Sequence, residues 1–563
     1  MGWEAGFYRK PSSDPCALST YCHYSYSGNG HCPESRYWRN KLLGEVYSKC
    51  TVEKLLPGAR IHSFPASEHR AGQTYRILYQ TGFEYKVGMH GSCICNEYRS
   101  LTERHLKDHG QRIDEVWWKK LTLETEKFYN TKLQPFTFQE VISGYEGVKK
   151  RRYEKALNYI MEYGLQPKHA RVKMFIKNDR FPLDKLASKA PRAIQYRTPE
   201  INLVMAKYIK PFEHHYYKEL TYGVKSATRV IAKGLNWRQR AEILIEKASY
   251  FNKPKFYLLD HSSFDATISV PMLRSTHRKY VKVFGRHVRK LFQCQVNNKC
   301  WTKFGIKYTV QGTRMSGDAD TACGNTIINL DAIYGVLQAS DIKKYDMLVD
   351  GDDAVLIVEN ESHLDTDIFR KAGLNTKVQI CHNILDVEFC QSRIIFTPDP
   401  IFVRNPYKVI SHAPYCRRTY PRRYDDWLSA VGMCELACNP GVPILAAFGK
   451  ALSSLGTGKR LFDNDLLRRM EGMKVEEKKI TLQARESFYR AWNVSPPMQE
   501  IIEQCITSYS INDKVNEHTI FRFSFDNKDV ESLQRQRAWY ECSTEHSGSC
   551  WWNGGTGGYR SIN

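Results

Sequence analysis

Over the first hundred residues the apolar positions show little periodicity, and the abundance of Tyr, Gly, Ser, Cys and His predicts loops and short elements. From Glu97 to Leu133 the spacing turns helical in two stretches, EYRSLTERHLKDHG and RIDEVWWKKLTLETEKFY. Lys149 to Arg197 begins helical and becomes extended around RVKMFIK, and a helical block follows from Pro199 to Ala248. Lys255 to Asp260 (KFYLLD) is a short apolar run that ends in a carboxylate, the pattern of a buried strand. Two more such runs, from Met347 to Glu359 (MLVDGDDAVLIVE), predict a hairpin with Asp350-Gly351 as its turn. Beyond Pro398 the pattern predicts a proline-containing loop, then helices from Asp425 onward and a frayed Gly-rich end, GGTGGYRSIN.

A chain of 563 residues exceeds what one hydrophobic core serves, so several subdomains or one large enzyme body are expected. With 42% hydrophobic and 25% charged residues it reads as a folding, globular protein and excludes collagen-like or disordered classes. The 83 Lys+Arg against 60 Asp+Glu give +23, which points to a polyanionic partner. The excess is uneven: Lys149–Arg197 holds 14 Lys/Arg and 4 Asp/Glu, and Arg417, Arg418, Arg422 and Arg423 form a second cluster among tyrosines. Seventeen scattered cysteines and no opening signal-peptide pattern lead to the expectation of a reducing, cytosol-type compartment. The best apolar stretch, Val431–Leu452, is interrupted by Glu435, Asn439, Pro440 and Pro443, so no transmembrane segment is expected.

Three stretches carry chemistry. In LLDHSSFD a strand ends in Asp260, and Asp265 follows five residues later; in DGDD, Asp352 and Asp353 follow the turn. A strand end and an adjacent hairpin can bring such carboxylates to one sheet edge. Two carboxylates about 4 Å apart repel by about 4 kcal/mol at an effective dielectric near 20, a penalty that divalent cations remove. Oxygen ligands without Cys/His pairs select Mg²⁺ or Mn²⁺, and two such ions suit phosphoryl transfer. Between them, QGTRMSGDADTACGN (Gln311–Asn325) joins a Gly loop to a helical pattern and offers Ser316, Thr321 and Asn325 as polar groups near the helix start. Upstream, Lys173, Lys177, Arg180, Lys189, Arg192 and Arg197 lie on extended sequence suited to lining a channel for a triphosphate.

In this order, Lys177–Arg192, DHSSFD, SGDADTACGN, DGDD and EFCQS (Glu388–Ser392) resemble motifs F, A, B, C and E of positive-strand viral RNA-dependent RNA polymerases. The B and E stretches resemble those of the tombusvirus-like group, and CNEYRSLTER (Cys95–Arg104) is similar to an upstream signature of that group. The resemblance spans about Arg171 to Arg393. It implies a mostly helical α+β fold, a right hand of fingers, palm and thumb with an antiparallel palm sheet flanked by helices. By position, residues 1–140 would be an N-terminal extension with fingertips, and 141–254 and 285–311 fingers. Residues 255–284 and 312–397 would be palm, 398–545 thumb and 546–563 a tail.

The resemblance also implies roles. Asp260 and Asp352 would hold two Mg²⁺ or Mn²⁺ ions, with Asp353 assisting and the Leu259 carbonyl as a further ligand. Asp265, Ser316, Thr321 and Asn325 would sense the ribose 2′-hydroxyl, and Lys177, Lys189 and Arg192 would meet the incoming triphosphate. Lys371 or, preferably, Lys377 would protonate the leaving pyrophosphate. Implied partners are an RNA template, nascent RNA, ribonucleoside triphosphates and other viral replication proteins, in a membrane-associated complex of the host cytoplasm.

Two other readings stay open at this point. A reverse transcriptase shares such carboxylates but usually has a bulky aromatic residue where Asp265 stands, and lacks the Ser/Thr/Asn set. A non-catalytic RNA-binding protein would explain +23 but not three aspartates among apolar strands. Asp350 receives no role from the motifs. Cys16, Cys22, His23, His31 and Cys32, and separately His90, Cys93 and Cys95, cluster without a C-x-x-C pair, so reduced cysteines are expected over structural zinc.

Overall fold

The computed structural model describes residues 54–63, 76–77, 87–182, 189–224, 226, 228–413, 415–416, 423–456 and 460–507. Strand β1 (Arg60–Ser63) precedes helix α1 (Ile94–Ser100), which runs into a π-helical turn over Leu101–His105. A new helix, α2 (Glu115–Thr125), starts where Asp114 accepts from the Trp117 N–H (3.0 Å), satisfying one of the first-turn donors. The basic segment forms α3 (Gly147–Tyr163) and then β2 (Val172–Ile176) and β3 (Ala193–Tyr196). The block expected from Pro199 to Ala248 is two helices, α4 (Pro199–Glu219) and α5 (Trp237–Ser249). Between them Tyr222, Gly223 and Gly234 take positive φ (49°, 80° and 78°), which no helix tolerates.

Strand β4 (Pro254–His261) is followed by the short helix α6 (Phe264–Thr267), then α7 (Val270–Phe284), β5 (Asn297–Thr302) and β6 (Lys307–Gln311). Helix α8 (Thr321–Ala339) starts early enough to include Thr321 and Asn325. Then come β7 (Tyr345–Asp350), β8 (Asp353–Glu359), β9 (Thr376–Cys381), β10 (Glu388–Phe389), β11 (Ser392–Phe396) and β12 (Pro400–Arg404). The loop expected after Pro398 is therefore a strand: Ile401, Phe402 and Val403 are buried and β12 pairs with β11. Pro400 opens that strand, where a missing N–H is tolerated, and Pro406 sits in the first turn of the helix Pro406–His412. Helices α9 (Tyr424–Cys438), α10 (Leu445–Ser453) and α11 (Leu482–Trp492) complete the part used below.

The site rests on a four-stranded antiparallel sheet of order β7-β8-β4-β9. One face, with Tyr257, Leu259, Met347, Val349 and Leu356, packs on α8 through Ile327 and Leu330. The other, with Phe256, Leu258, Leu348, Val355 and Ile357, packs on α5 through Ala241 and Leu244 and on Phe389 and Phe402 of the three-stranded sheet β10-β11-β12. Burial on both faces is why these strands read as unbroken apolar runs, each fully buried Leu, Ile or Val contributing about 1.5–3 kcal/mol. A five-stranded sheet, β1-β6-β5-β2-β3, parallel only between β2 and β5, has its own core with Met174, Ile176, Tyr308 and Met315. A helical core with Val431, Phe448, Phe488 and Trp492 lies beyond Ile395 and Val403.

The hairpin turn differs from expectation by one residue. Asp350 pairs with Asp353, so Gly351 and Asp352 form the two-residue turn, with Gly351 at φ 73° and Asp352 outside the positive-φ set. That is the II′ geometry, with glycine first, whose twist matches the flanking strands.

Candidate active site

The carboxylates collect at one end of the four-stranded sheet. The β8–β4 ladder ends with Ala354 opposite Leu259, so Asp353 and Asp260 are the next residues outward, and Lys377 of β9 pairs directly with Asp260. Residues opposite one another project to the same face, which lines Asp353, Asp260 and Lys377 across three neighbouring strands. Asp352 stands at the turn beside them. Burial, then the charges of Asp352, Asp260 and Asp350, push the Asp353 carboxyl up to about 7. Among the described residues no Lys or Arg forms an ion pair with Asp260, Asp352 or Asp353.

This oxygen-only, mutually repelling donor set fits a hard divalent cation. No three His, Cys, Asp or Glu side chains among the described residues converge into a preformed cage. Mg²⁺ does not need one, since it is usually held by one or two carboxylates together with substrate phosphates.

The turn itself is fixed from below. Thr326 Oγ1 accepts from the Gly351 N–H (3.1 Å), and Asn329 Nδ2 donates to the Gly351 and Asp352 carbonyls (3.0 and 3.1 Å). Asn329 Oδ1 in turn accepts from His261 Nε2 (2.9 Å), so His261 Nδ1 accepts from the Thr376 hydroxyl (2.8 Å). Burial pushes the His261 imidazole down, keeping it neutral in this role. Asp350 lies on the opposite strand end, bound by Lys233 and by Arg240 (2.6 Å). Burial raises its carboxyl, but these two cations bring it below the usual carboxylate range. Arg240 also donates to Cys390 Sγ (3.5 Å), joining the turn to the Glu388–Ser392 stretch. The extra aspartate is an anchor.

Beside this end, Asn325 Nδ2 donates to Asp265 Oδ1 (2.7 Å). Burial raises the Asp265 carboxyl, the Asn325 bond offsets part of that, and the Asp352 charge adds to it. Ser316 and Thr321 engage the loop instead of Asp265. Ser316 Oγ accepts from the Gln195 N–H (3.1 Å), and Thr321 Oγ1 donates to the Met315 and Asp318 carbonyls (2.8 and 3.0 Å). Gly317 is required where the loop docks on β3, because a Cβ there would come within 2.7 Å of the Gln195 carbonyl.

Lys177 and Arg192 share Asp179 (3.1 and 3.5 Å), and the Lys177 N–H donates to the Arg192 carbonyl (2.8 Å). Lys189 is exposed, and its carbonyl accepts from His90 Nε2 (2.9 Å). Of the two lysines weighed as acids, Lys377 is the one opposite Asp260, whereas Lys371 ends the turn Thr366–Arg370 and its carbonyl accepts from the Asp114 N–H (2.8 Å).

A family model described as viral RNA dependent RNA polymerase matches residues 62–514. The chain belongs to that family. It is 30% identical over 502 residues to the RNA-directed RNA polymerase of Groundnut rosette virus (strain MC1), a match covering 83% of this chain and 58% of the relative. The RNA-directed RNA polymerases of Tobacco necrosis virus (strain A) and Turnip crinkle virus are 28% and 29% identical, over 74% and 66% of this chain and 61% and 50% of theirs. The chain thus spans about half to three fifths of the length of these relatives.

Within this family member, several residues that hold the site were missed from sequence. Arg104 lies on the π-helical turn that packs against α6, half-buried among Arg192, Asp179 and Asp265, and burial lowers its pKa. The stretch CNEYRSLTER marks its neighbourhood, and π-helical turns gather at functional sites, but nothing in the stretch fixes which way Arg104 faces. Asn329 and His261 gave no signal, because each acts through partners distant in sequence; Arg314 lies within the Gln311–Asn325 stretch, close to Asp320 and Asn325, but spacing does not tell which side chain its guanidinium meets. Cys16, Cys22, His23, His31 and Cys32, the Arg417–Arg422 part of the second basic cluster and residues 508–563 lie outside the described residues, as does the Cys95 side chain. No helix among the described residues is long and apolar enough to cross a membrane.

Proposed function

We propose that the chain catalyses template-directed RNA synthesis, replicating a viral RNA genome from ribonucleoside triphosphates. The observation that carries this reading is the sheet end itself: three aspartates without an ion-pair partner among the described residues, one pushed up to about 7, beside the Asp265–Asn325 pair. The family and its named relatives support it. On this reading residues 255–284 and 312–397 are the palm, 141–254 and 285–311 the fingers, 1–140 an extension with fingertips and 398–545 the thumb. The four-stranded sheet flanked by helices supports the palm assignment.

Asp260, Asp352 and Asp353 would hold Mg²⁺ or Mn²⁺, two ions in all. When bound, these supply the positive charge that stabilises the attacking and leaving oxygens of the displacement. The nascent RNA 3′-hydroxyl gives up its proton to water and attacks the α-phosphate of the nucleotide; a P–O bond forms, the bond to the bridging oxygen of the β-phosphate breaks and pyrophosphate leaves. Lys177, Lys189 and Arg192 steer and hold the triphosphate, and Lys377, beside Asp260, gives a proton to the leaving pyrophosphate. Asp265 and Asn325 engage the ribose 2′-hydroxyl, so a deoxyribonucleotide leaves buried polar groups unpaired. Ser316 and Thr321 fix the loop that presents this pair. Partners are the RNA template, nascent RNA and other viral replication proteins, in a membrane-associated complex of the host cytoplasm.

Primer extension with ribo- and deoxyribonucleotides tests the reading. Ribonucleotide incorporation by the wild type, lost in Asp352→Ala, is expected. Preference for deoxyribonucleotides would make the chain a reverse transcriptase, and RNA binding without incorporation under Mg²⁺ or Mn²⁺ would make it a non-catalytic binder.

A further inference from the structure

Asn325 can discriminate sugars only if its amide is presented the right way round, and its two ends are nearly the same shape. Their partners decide. Arg314 Nε, which can only donate, reaches Asn325 Oδ1 (3.1 Å), so Nδ2 must face Asp265 (2.7 Å) and keeps one further N–H. The Arg314 main-chain N–H also donates to the Asp265 carbonyl (2.7 Å), so one residue grips both members of the pair.

Arg314 is itself immobilised. Its Nη1 donates to Asp320 Oδ2 (2.9 Å), and the two side chains are 1% and 0% exposed. Asp320 is held by Gln295 Nε2 (2.6 Å) and the Tyr280 hydroxyl (3.2 Å). Gln295 Nε2 also donates to Asp318 Oδ2 (3.0 Å), which Arg197 reaches at its other oxygen (2.9 Å). A buried polar chain thus runs from the end of β3 to the sugar pair. Helix α8 is shaped for it: a Cβ on Gly324 would collide with the Arg314 guanidinium, whose Nη2 is buried without a partner. A buried ion pair is no more stabilising than well-packed apolar side chains of like volume, but apolar side chains cannot orient an amide.

We propose that Arg314 is a positioning residue that sets 2′-hydroxyl discrimination by locking the Asn325 amide, with Asp320 and Gly324 as its support. This rests on the polymerase reading and deepens it. The test is single-nucleotide extension by the 563-residue chain with each ribonucleotide and its 2′-deoxy analogue, in wild type, Arg314→Lys, Gly324→Ala and Asn325→Ala. Lysine keeps the charge toward Asp320 but not the fork that also reaches Asn325, and Gly324→Ala displaces the guanidinium while favouring the helix.

Both variants are expected to lower the ribo-to-deoxyribo ratio of kcat/KM by about tenfold, the effect of one misdirected hydrogen bond, and to lower it through the ribonucleotide KM more than through kcat. Combined with Asn325→Ala, neither should lower the ratio further. A folded Arg314→Lys or Gly324→Ala with the wild-type ratio overturns the proposal, as does additivity with Asn325→Ala. A wild type that incorporates no ribonucleotide would sink the polymerase reading and this inference with it, so the two failures are distinct.

Discussion

Asp350 and Asp353 face each other across one two-residue turn, and their surroundings are opposite. Asp350 meets Lys233 and Arg240 and ends below the usual carboxylate range; Asp353 meets Asp352 and Asp260 and ends near 7. The same division runs through the molecule. Asp346 has Lys247 (2.6 Å), Asp331 has Lys279, Asp320 has Arg314 (2.9 Å) and Asp318 has Arg197 (2.9 Å), all deeply buried. Where a carboxylate fixes structure the chain supplies its cation. At the end of the four-stranded sheet no described Lys or Arg forms an ion pair with Asp260, Asp352 or Asp353, and there we propose that a cation from outside binds.

The largest effect that could break this contrast is on activity. Asp352→Ala should lower nucleotide incorporation by about a thousandfold or more, while unfolding of the metal-free protein shifts by no more than about 0.5 kcal/mol, because no ion pair is lost. A variant that lost its fold together with its activity would make Asp352 structural. Next in size, Asp350→Asn should destabilise by about 3–5 kcal/mol in denaturant unfolding, since Lys233 and Arg240 are left uncompensated. Asp353→Asn, which removes an anion its surroundings already disfavour, should not destabilise the metal-free protein at all. Equal losses in the two variants would erase the distinction drawn across the turn.

The strands and their terminal carboxylates were legible because burial on two faces leaves an unbroken apolar run, and an aspartate at its end stands out. The turn was misplaced by one residue because Asp350-Gly351 and Gly351-Asp352 are both credible turn pairs until the register is known. Strand β12 was hidden by the prolines on either side of it. Asp350 could not be assigned from sequence because Lys233 lies 117 residues upstream, and nothing local marks that lysine as its partner. The resemblance groups Ser316 and Thr321 with Asp265, and only the folded backbone tells that their hydroxyls bond to Gln195, Met315 and Asp318.

Glu97 meets the same problem in a third way. Its side chain is buried, accepts from the Phe304 N–H (3.2 Å) and meets no cation among the described residues; burial pushes its carboxyl up from 4.5 to about 7, against the pull of Thr302 and Phe304. The folded state therefore holds a proton that the unfolded state has released between about 4.5 and 7. Stability present below that window is lost as pH rises through it, at about 1.4 kcal/mol per pH unit and about 3 kcal/mol in all. Glu97→Gln, which is neutral throughout, should flatten that part of the stability-against-pH curve. An unchanged slope would mean that Glu97 is ionised when buried, and that a proton is no substitute for a cation here.

The smallest effect is the most direct probe of the unpaired end. A ligand that binds only the folded state stabilises it by RT ln(1 + [L]/Kd), about 1.4 kcal/mol at ten times Kd. Adding Mg²⁺ to the substrate-free protein should raise the unfolding midpoint of the wild type and not that of Asp260→Asn or Asp352→Ala. Asp350→Asn should start lower and still respond, because its carboxylate is committed to Lys233 and Arg240 and offers nothing to the ion. If Asp350→Asn alone lost the response, the carboxylate on the anchored side of the turn would be the ligand, and the two sides would have to exchange roles.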